Sequence, residues 1–187
     1  MNKIYLIIFL LIVIGFSIYF GLPLWTGDNE VKVDDAATTT TTYSRLVGND
    51  LIGTEFIVPG LEIKVKLSAD IVDFQDGKNQ GSIIFLLKEA TAIKLDGKDY
   101  VAAPVAANTG GSGTFVYLVL FEKTGGRFTQ LDDEFIGDRI KVEKVISTDN
   151  KIAVNIFDRK PDEPFSAVPT VPQTLVFSIT TGQLVKQ

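Results

Sequence analysis

An uncharged, apolar run at residues 4–25, IYLIIFLLIVIGFSIYFGLPLW, constrains this chain more than any other feature. As a helix with a rise of about 1.5 Å per residue, it is long enough to cross the roughly 30 Å hydrocarbon layer of a bilayer. Leucine, isoleucine, phenylalanine and valine would occupy every face of that helix, whereas a surface helix of a globular domain is amphipathic. The sequence therefore predicts a membrane anchor at residues 1–25, with residues 4–25 in contact with the lipid bilayer.

A cleaved signal peptide is the main alternative to a permanent anchor. The apolar part of a signal peptide is usually about 7–15 residues long and ends at small residues. Here the run is longer and ends in Leu-Pro-Leu-Trp, and the first alanines, Ala36 and Ala37, follow two aspartates. These features favour an uncleaved signal-anchor.

The charges beside the apolar run predict its orientation. Lys3 precedes the run, and the charged residues that follow it are mainly acidic: Asp28, Glu30, Asp34 and Asp35. Positive charge next to a membrane span tends to stay on the cytoplasmic side. We therefore expect a single-pass protein of the cell membrane, with a cytoplasmic N-terminus and an extracytoplasmic C-terminal domain.

Residues 26–49 predict a flexible linker. They are mostly polar, show little periodic hydrophobicity and contain an unbroken threonine run from Thr38 to Thr42. We expect this segment to act as a tether that keeps the following domain off the membrane.

From residue 50 onward, the hydrophobic pattern changes to one of β-strands. Apolar and charged residues alternate through residues 61–67, which predicts a strand with one buried and one solvated face. Similar β-type runs occupy residues 82–87, 100–106, 114–121, 139–147, 151–157 and 174–179.

Residue pairs that tolerate a positive φ separate these runs and predict short hairpin turns. The pairs are Pro59-Gly60, Asp76-Gly77, Asp96-Gly97, Gly110-Gly111, Gly125-Gly126, Asp149-Asn150 and Thr181-Gly182. The expected fold is mainly β: an N-terminal transmembrane helix, then one largely antiparallel β-sandwich or open barrel at residues 50–187. For residues 131–135 we expect either a short helix capped by Asp132 and Asp133 or a turn.

The composition excludes several kinds of chemistry. The chain has no cysteine and no histidine, which removes disulfides, thiolate and imidazole metal sites, and Ser-His-Asp or Cys-His catalysis. Its formal net charge is -5 without a basic stripe, so we expect no nucleic-acid partner. We also expect no cofactor and no metal, because the spacing of Asp70, Asp73 and Asp76 does not match a calcium loop.

Two loops remain as candidate binding sites. The glycine turn at residues 108–114 lacks the Lys-Ser/Thr of a phosphate-binding loop, so it is either a plain turn or a backbone nest for an anion or glycan oxygen. The proline-rich segment at residues 158–173 is either a stiff connection or a functional loop. The candidate partner-binding residues are Asn108, Gly110, Gly111, Ser112 and Gly113 in the first, and Asp158, Arg159, Pro161, Asp162 and Pro164 in the second.

Three motifs in the C-terminal half carry a family resemblance: Gly-Gly-Ser-Gly-Thr-Phe at 110–115, Gly-Asp-Arg-Ile-Lys-Val at 137–142 and Pro-Asp-Glu-Pro at 161–164. Over residues 80–187 the chain resembles a family of small exported bacterial β-rich domains, anchored by a membrane helix or a lipid, with no assigned biochemical function. That family commonly has paired cysteines in the proline loop, where this chain has Phe165, Ser166 and Ala167. The resemblance thus implies export but supplies no redox role and no catalytic residue.

Taken together, these patterns predict a non-enzymatic, membrane-tethered module of the cell envelope that binds a protein or glycan. Three alternatives remain open. The first is a purely structural subunit that assembles through exposed strand edges. The second is an inhibitor of a basic cell-wall hydrolase, in keeping with the negative charge. The third is a carboxylate-based envelope glycan hydrolase that would use the acids at 132–134, although adjacent acids in a strand point to opposite faces.

Overall fold

The computed structural model of this protein describes residues 47–187, so the predicted anchor and nearly all of the predicted linker lie outside the described residues. The described part opens on a helical turn at 47–49, continues almost entirely as β-strands, and has a 3₁₀ turn at Leu87–Glu89. The strands are β1 (Glu55–Ile57), β2 (Lys64–Lys66), β3 (Ile71–Asp76), β4 (Asn79–Phe85), β5 (Thr91–Leu95), β6 (Lys98–Asn108), β7 (Phe115–Thr124), β8 (Arg127–Asp138), β9 (Lys141–Thr148), β10 (Lys151–Asp158), β11 (Val171–Thr180) and β12 (Gln183–Lys186).

These strands form three antiparallel sheets. The largest has the order β3-β4-β6-β7-β8, and β5 pairs with β6 beside this path. A four-stranded sheet has the order β12-β11-β10-β9, and β1 pairs with β2 as a separate hairpin. The prediction of a mainly β, largely antiparallel fold is confirmed.

Two-residue turns join many of the strands, as the sequence predicted. Asp96 and Gly97 have φ angles of 51° and 76°, and Thr181 and Gly182 have φ angles of 52° and 80°. Such left-handed pairs match the twist of the strands they connect. The turns at Gly125-Gly126 and at Asp149-Asn150 also contain left-handed residues.

The centre of the six-stranded sheet is covered on both faces. On β6, Val101, Ala103, Val105 and Ala107 belong to one buried cluster, together with the β1–β2 hairpin and the 3₁₀ turn. The alternate residues Tyr100, Ala102 and Ala106 belong to a second cluster, which they share with the four-stranded sheet. Strand β6 is therefore almost completely buried, and the two larger sheets pack face to face through the second cluster.

Pro104 lies inside this central strand, where a missing amide donor would normally interrupt the ladder. Strand β5 pairs with β6 up to Ala102, and β4 pairs with it from Val105 onward. Between these two ladders, the Leu86 amide donates to the carbonyl of Pro104 at 3.0 Å. Pro104 thus lies where β5 has ended and β4 has not yet begun to pair with β6, so its missing N–H interrupts neither ladder.

Side chains tie the edges of the sheets together. The carboxylate of Asp132 on β8 accepts from the Leu184 amide of β12 at 2.7 Å. At the other side of the four-stranded sheet, the Ser147 hydroxyl on β9 donates to the Ala92 carbonyl of β5 at 2.9 Å. Gln130 on β8 accepts from the Ile57 amide at 2.7 Å and donates to the Ile57 carbonyl at 3.3 Å, as a pairing strand would.

Three expectations need correction. Residues 131–135 form neither a helix nor a turn but the middle of β8, and Asp132 and Asp133 cap no helix. The segment at 158–173 is irregular only between β10 and β11, because residues 171–173 already pair with β10. Val47 is buried in the first cluster, so the folded part includes the last residues of the segment expected to be linker.

Candidate functional site

The glycine turn and the proline loop meet at the end of β8. The link between them is Asp138 and Arg139, the last residue of β8 and the residue that follows it. Arg139 has a φ of 52° and begins the connection to β9. Because both loops contact these two residues, segments that are far apart in sequence form one continuous surface.

The glycine turn is attached through its backbone. The Thr114 amide donates to Asp138 Oδ1 at 3.1 Å, and the Arg139 amide donates to the Thr114 carbonyl at 2.7 Å. At the start of the turn, Asn108 Oδ1 accepts from the Gly110 amide at 3.0 Å. Two of the amides that could form an anion-binding nest therefore already have partners within the protein.

The guanidinium of Arg139 connects the turn to β8. Its Nε donates to the Ser112 carbonyl at 3.0 Å, and its Nη2 donates to the same oxygen. Its Nη1 forms an ion pair with Asp138 Oδ2 at 2.9 Å, and both side chains are largely shielded from solvent. This planar fork fixes the turn and the arginine with respect to each other.

The proline loop is attached through Arg159. Its Nη1 donates to the Arg139 carbonyl at 2.8 Å and its Nη2 to the Asp138 carbonyl at 2.6 Å. The loop is closed at its base by a bond from the Thr170 amide to the Asp158 carbonyl at 2.9 Å. Among residues 47–187, the ion pairs of this region are Asp138–Arg139 and Lys160–Glu163, so the hydrogen bonds of the Arg159 guanidinium go to carbonyls and not to a carboxylate.

Phe165 projects from the proline loop, and its ring contacts both arginines. The guanidinium carbon of Arg139 lies 4.9 Å from the centre of its ring, and that of Arg159 lies 5.5 Å away. Both distances are within the range of a cation–π interaction. The ring is nevertheless 66% exposed, and Val168 in the same loop is 75% exposed. We call Ser112, Arg139, Arg159, Phe165 and Val168 the Phe165 surface.

The residues predicted from the sequence fall into two groups. Some make contacts in or beside the Phe165 surface, and others are exposed on the two loops. Ser112 and Arg159 lie in the Phe165 surface, while Asn108, Gly110 and Asp158 shape the backbone beside it. Pro161, Asp162 and Pro164 are exposed on the same loop. Gly111 is exposed in the glycine turn, and Gly113 has the ring of Phe115 within 3 Å of where a Cβ would be, so a larger residue would displace that ring.

Sequence reasoning missed Asp138, Arg139 and Phe165 as site residues. The first two were visible within the Gly-Asp-Arg motif, and Phe165 was visible as the single aromatic residue of the proline-rich segment. A basic residue next to a left-handed turn, together with an aromatic residue among prolines, was the signal that could have identified them.

The acidic residues at 132–134 are separated by the strand that carries them. Asp132 bonds to the Leu184 amide, whereas Asp133 accepts from Gln130 Nε2 at 3.3 Å. Burial raises the pKa of Asp133, with the charge of Asp132 as a second cause. Burial and the charge of Asp133 in turn raise the pKa of Tyr117. Asp132 and Asp133 thus contact different neighbours and do not face each other across a cleft.

Within residues 47–187, no three carboxylates are grouped so that they could hold a metal ion. Nor does the described part of the chain contain a helix long and apolar enough to cross a membrane.

What the fold and this surface define is a class: a domain of antiparallel β-sheets that displays an aromatic ring in contact with two arginines. Comparisons of the chain with protein-family models, with curated proteins and with solved structures gave no match. The family resemblance stated above therefore stays a prediction.

Proposed function

We propose that this protein is a membrane-tethered binding module of the cell envelope, and that it engages a protein or glycan partner through the Phe165 surface. A single-pass anchor at residues 1–25 would hold the domain, with its two larger sheets packed as a sandwich, on the extracytoplasmic side. The observation that carries the proposal is the exposure of Phe165 in contact with two immobilised arginines.

Phe165 has the properties of a binding anchor. A single exposed apolar residue is ordinary on a protein surface, and what distinguishes Phe165 is the contact of its ring with two arginines. Aromatic and arginine side chains are enriched among residues that dominate binding energy. Because Arg139 and Arg159 are already fixed by carbonyl oxygens, binding would lose little side-chain entropy on their account.

Crosslinking and pull-down from intact cells, using the full chain, tests this role. We expect Phe165→Ala to lower partner recovery by about tenfold, the loss typical when a dominant contact is removed. Phe135→Ala is the matched control, because Phe135 is also an exposed aromatic, at 50%, but contacts Phe115 and Tyr117 on the sheet. Equal recovery with both variants would contradict the proposed surface.

The same experiment separates the alternatives. An inhibitor of a cell-wall hydrolase would recover a basic enzyme as its partner. Carboxylate-based glycan hydrolysis would depend on Asp133 and its neighbours rather than on the Phe165 surface, so Phe165→Ala would retain that activity.

A further inference from the structure

The outer edge of β3 differs from the edges of β5, β8, β9 and β12. Side chains tie β8 to β1 and β12, and β9 to β5. Strand β3 is the last strand of the six-stranded sheet and pairs only with β4 among the described strands. Its outer side therefore presents backbone groups without a strand beside them, which is the usual template for strand addition.

The register shows which backbone groups these are. The Phe85 amide donates to the Asp70 carbonyl at 2.7 Å, so Asp70 and Phe85 form a hydrogen-bonded pair. Hydrogen-bonded pairs alternate along an antiparallel ladder, so Val72 and Phe74 also bond to β4. The amides and carbonyls of the residues in between point away from the sheet: Ile71, Asp73 and Gln75.

The side chains along this edge indicate which kind of partner segment would fit it. Ile71 is 58% exposed, and its partner across the ladder, Ile84, is 38% exposed on the same side. Asp70, Asp73 and Asp76 are exposed, and none of them forms an ion pair within residues 47–187. The edge is thus apolar at one end and acidic along the rest.

We propose that β3 binds an extended, basic segment of a partner protein, which adds to the six-stranded sheet as an antiparallel strand. Its backbone would bond to Ile71, Asp73 and Gln75, and a lysine or arginine would lie beside Asp73. A second copy of this chain suits the edge less well, because pairing β3 with β3 brings their aspartates together. The proposal does not depend on the Phe165 surface.

Peptide binding to the full chain in a nonionic detergent tests this inference. The probe is a short peptide of alternating lysine and valine, and its counterpart alternates glutamate and valine. The lysine peptide should bind and should slow hydrogen exchange at the amides of Ile71, Asp73 and Gln75. Binding of the glutamate peptide with equal affinity would overturn the proposal, as would protection confined to other strands.

Variants of Asp73 distinguish the contribution of its backbone amide to peptide binding from that of its side-chain charge. Asp73→Pro removes an outward amide without removing a bond to β4, and should raise the dissociation constant about tenfold or more. Asp73→Lys keeps the amide and should reverse the preference between the two peptides. Glu143→Lys, an equal charge change at an exposed position on β9, should leave binding unchanged.

Two further results would reject the proposal. One is unchanged affinity in both Asp73 variants. The other is protection of the same three amides that appears without peptide and rises with protein concentration, because a second copy would then occupy the edge.

Discussion

Arg159 holds the Phe165 surface in place. Its guanidinium donates to two consecutive carbonyls at the end of β8, and it also lies against the ring of Phe165. Hydrogen bonds from a charged donor are stronger than neutral ones, and two parallel bonds fix the orientation of the group. The same residue therefore determines where the proline loop lies and how Phe165 is presented.

We expect Arg159→Ala to lower the free energy of unfolding by about 1–2 kcal/mol, because both charged donors are lost while the two carbonyls remain. Urea unfolding of the full chain in detergent measures this change. Arg159→Lys should recover only part of the loss, since an ammonium group lacks the planar fork. An unchanged unfolding midpoint in Arg159→Ala would show that the loop is positioned by other contacts.

At the scale of elements, the segment around β2 shows where sequence patterns succeed, and β8 shows where they fail. The alternation in residues 61–67 predicted a strand with one buried face. Leu61, Ile63 and Val65 do pack against the core, but only Lys64–Lys66 forms a strand. Strand β8 lacks such alternation, because irregularities in its pairing with β7 shift the register and its polar residues serve neighbouring edges. The side chains of Gln130 and Asp132 bond to the backbones of β1 and β12. From the sequence alone, polar residues with this role look the same as polar residues in a solvated turn.

The edge contact of Asp132 can be tested by itself. In Asp132→Ala the Leu184 amide loses its charged acceptor, so we expect a loss of about 1–2 kcal/mol in unfolding free energy. Hydrogen exchange at the Leu184 amide should accelerate as β12 detaches more often. Asp132→Asn, which keeps an acceptor oxygen, should show a smaller change in both measurements. Equal exchange in all three proteins would mean that β12 is held by its pairing with β11 alone.

For the molecule as a whole, the sequence predicted the two loops but not their junction. Glycine and proline content identifies loops wherever they lie, whereas contact between Ser112 and Arg139 depends on the order of strands in the sheet. The exposure of Phe165 was equally hidden, because an apolar residue in a loop is usually expected to cover the core. Only the assembled sheets show that the loops form one surface.

The proposed orientation in the membrane can be tested by labelling, because the chain contains no cysteine of its own. A membrane-impermeant maleimide should label Asp162→Cys in intact cells, since Asp162 is exposed on the proline loop. Asn2→Cys should react only after the membrane is opened, as expected for an N-terminus beside Lys3 on the cytoplasmic side.

The unsubstituted protein is the control for this labelling and should stay unreacted. The reverse labelling pattern would contradict the orientation. Loss of the Asn2→Cys label from a shortened protein would show instead that the apolar run is a cleaved signal.

Pro104 also matters before the chain has folded. The uncharged stretches that an unfolded copy exposes include residues 100–107 and 115–121, which become the buried centre of the six-stranded sheet. Segments of this kind readily stack into cross-β aggregates, and a proline interrupts the continuous backbone bonding that such stacks need. Pro104, which the native sheet accommodates between the β5 and β4 ladders, therefore also protects the unfolded β6 segment from aggregation.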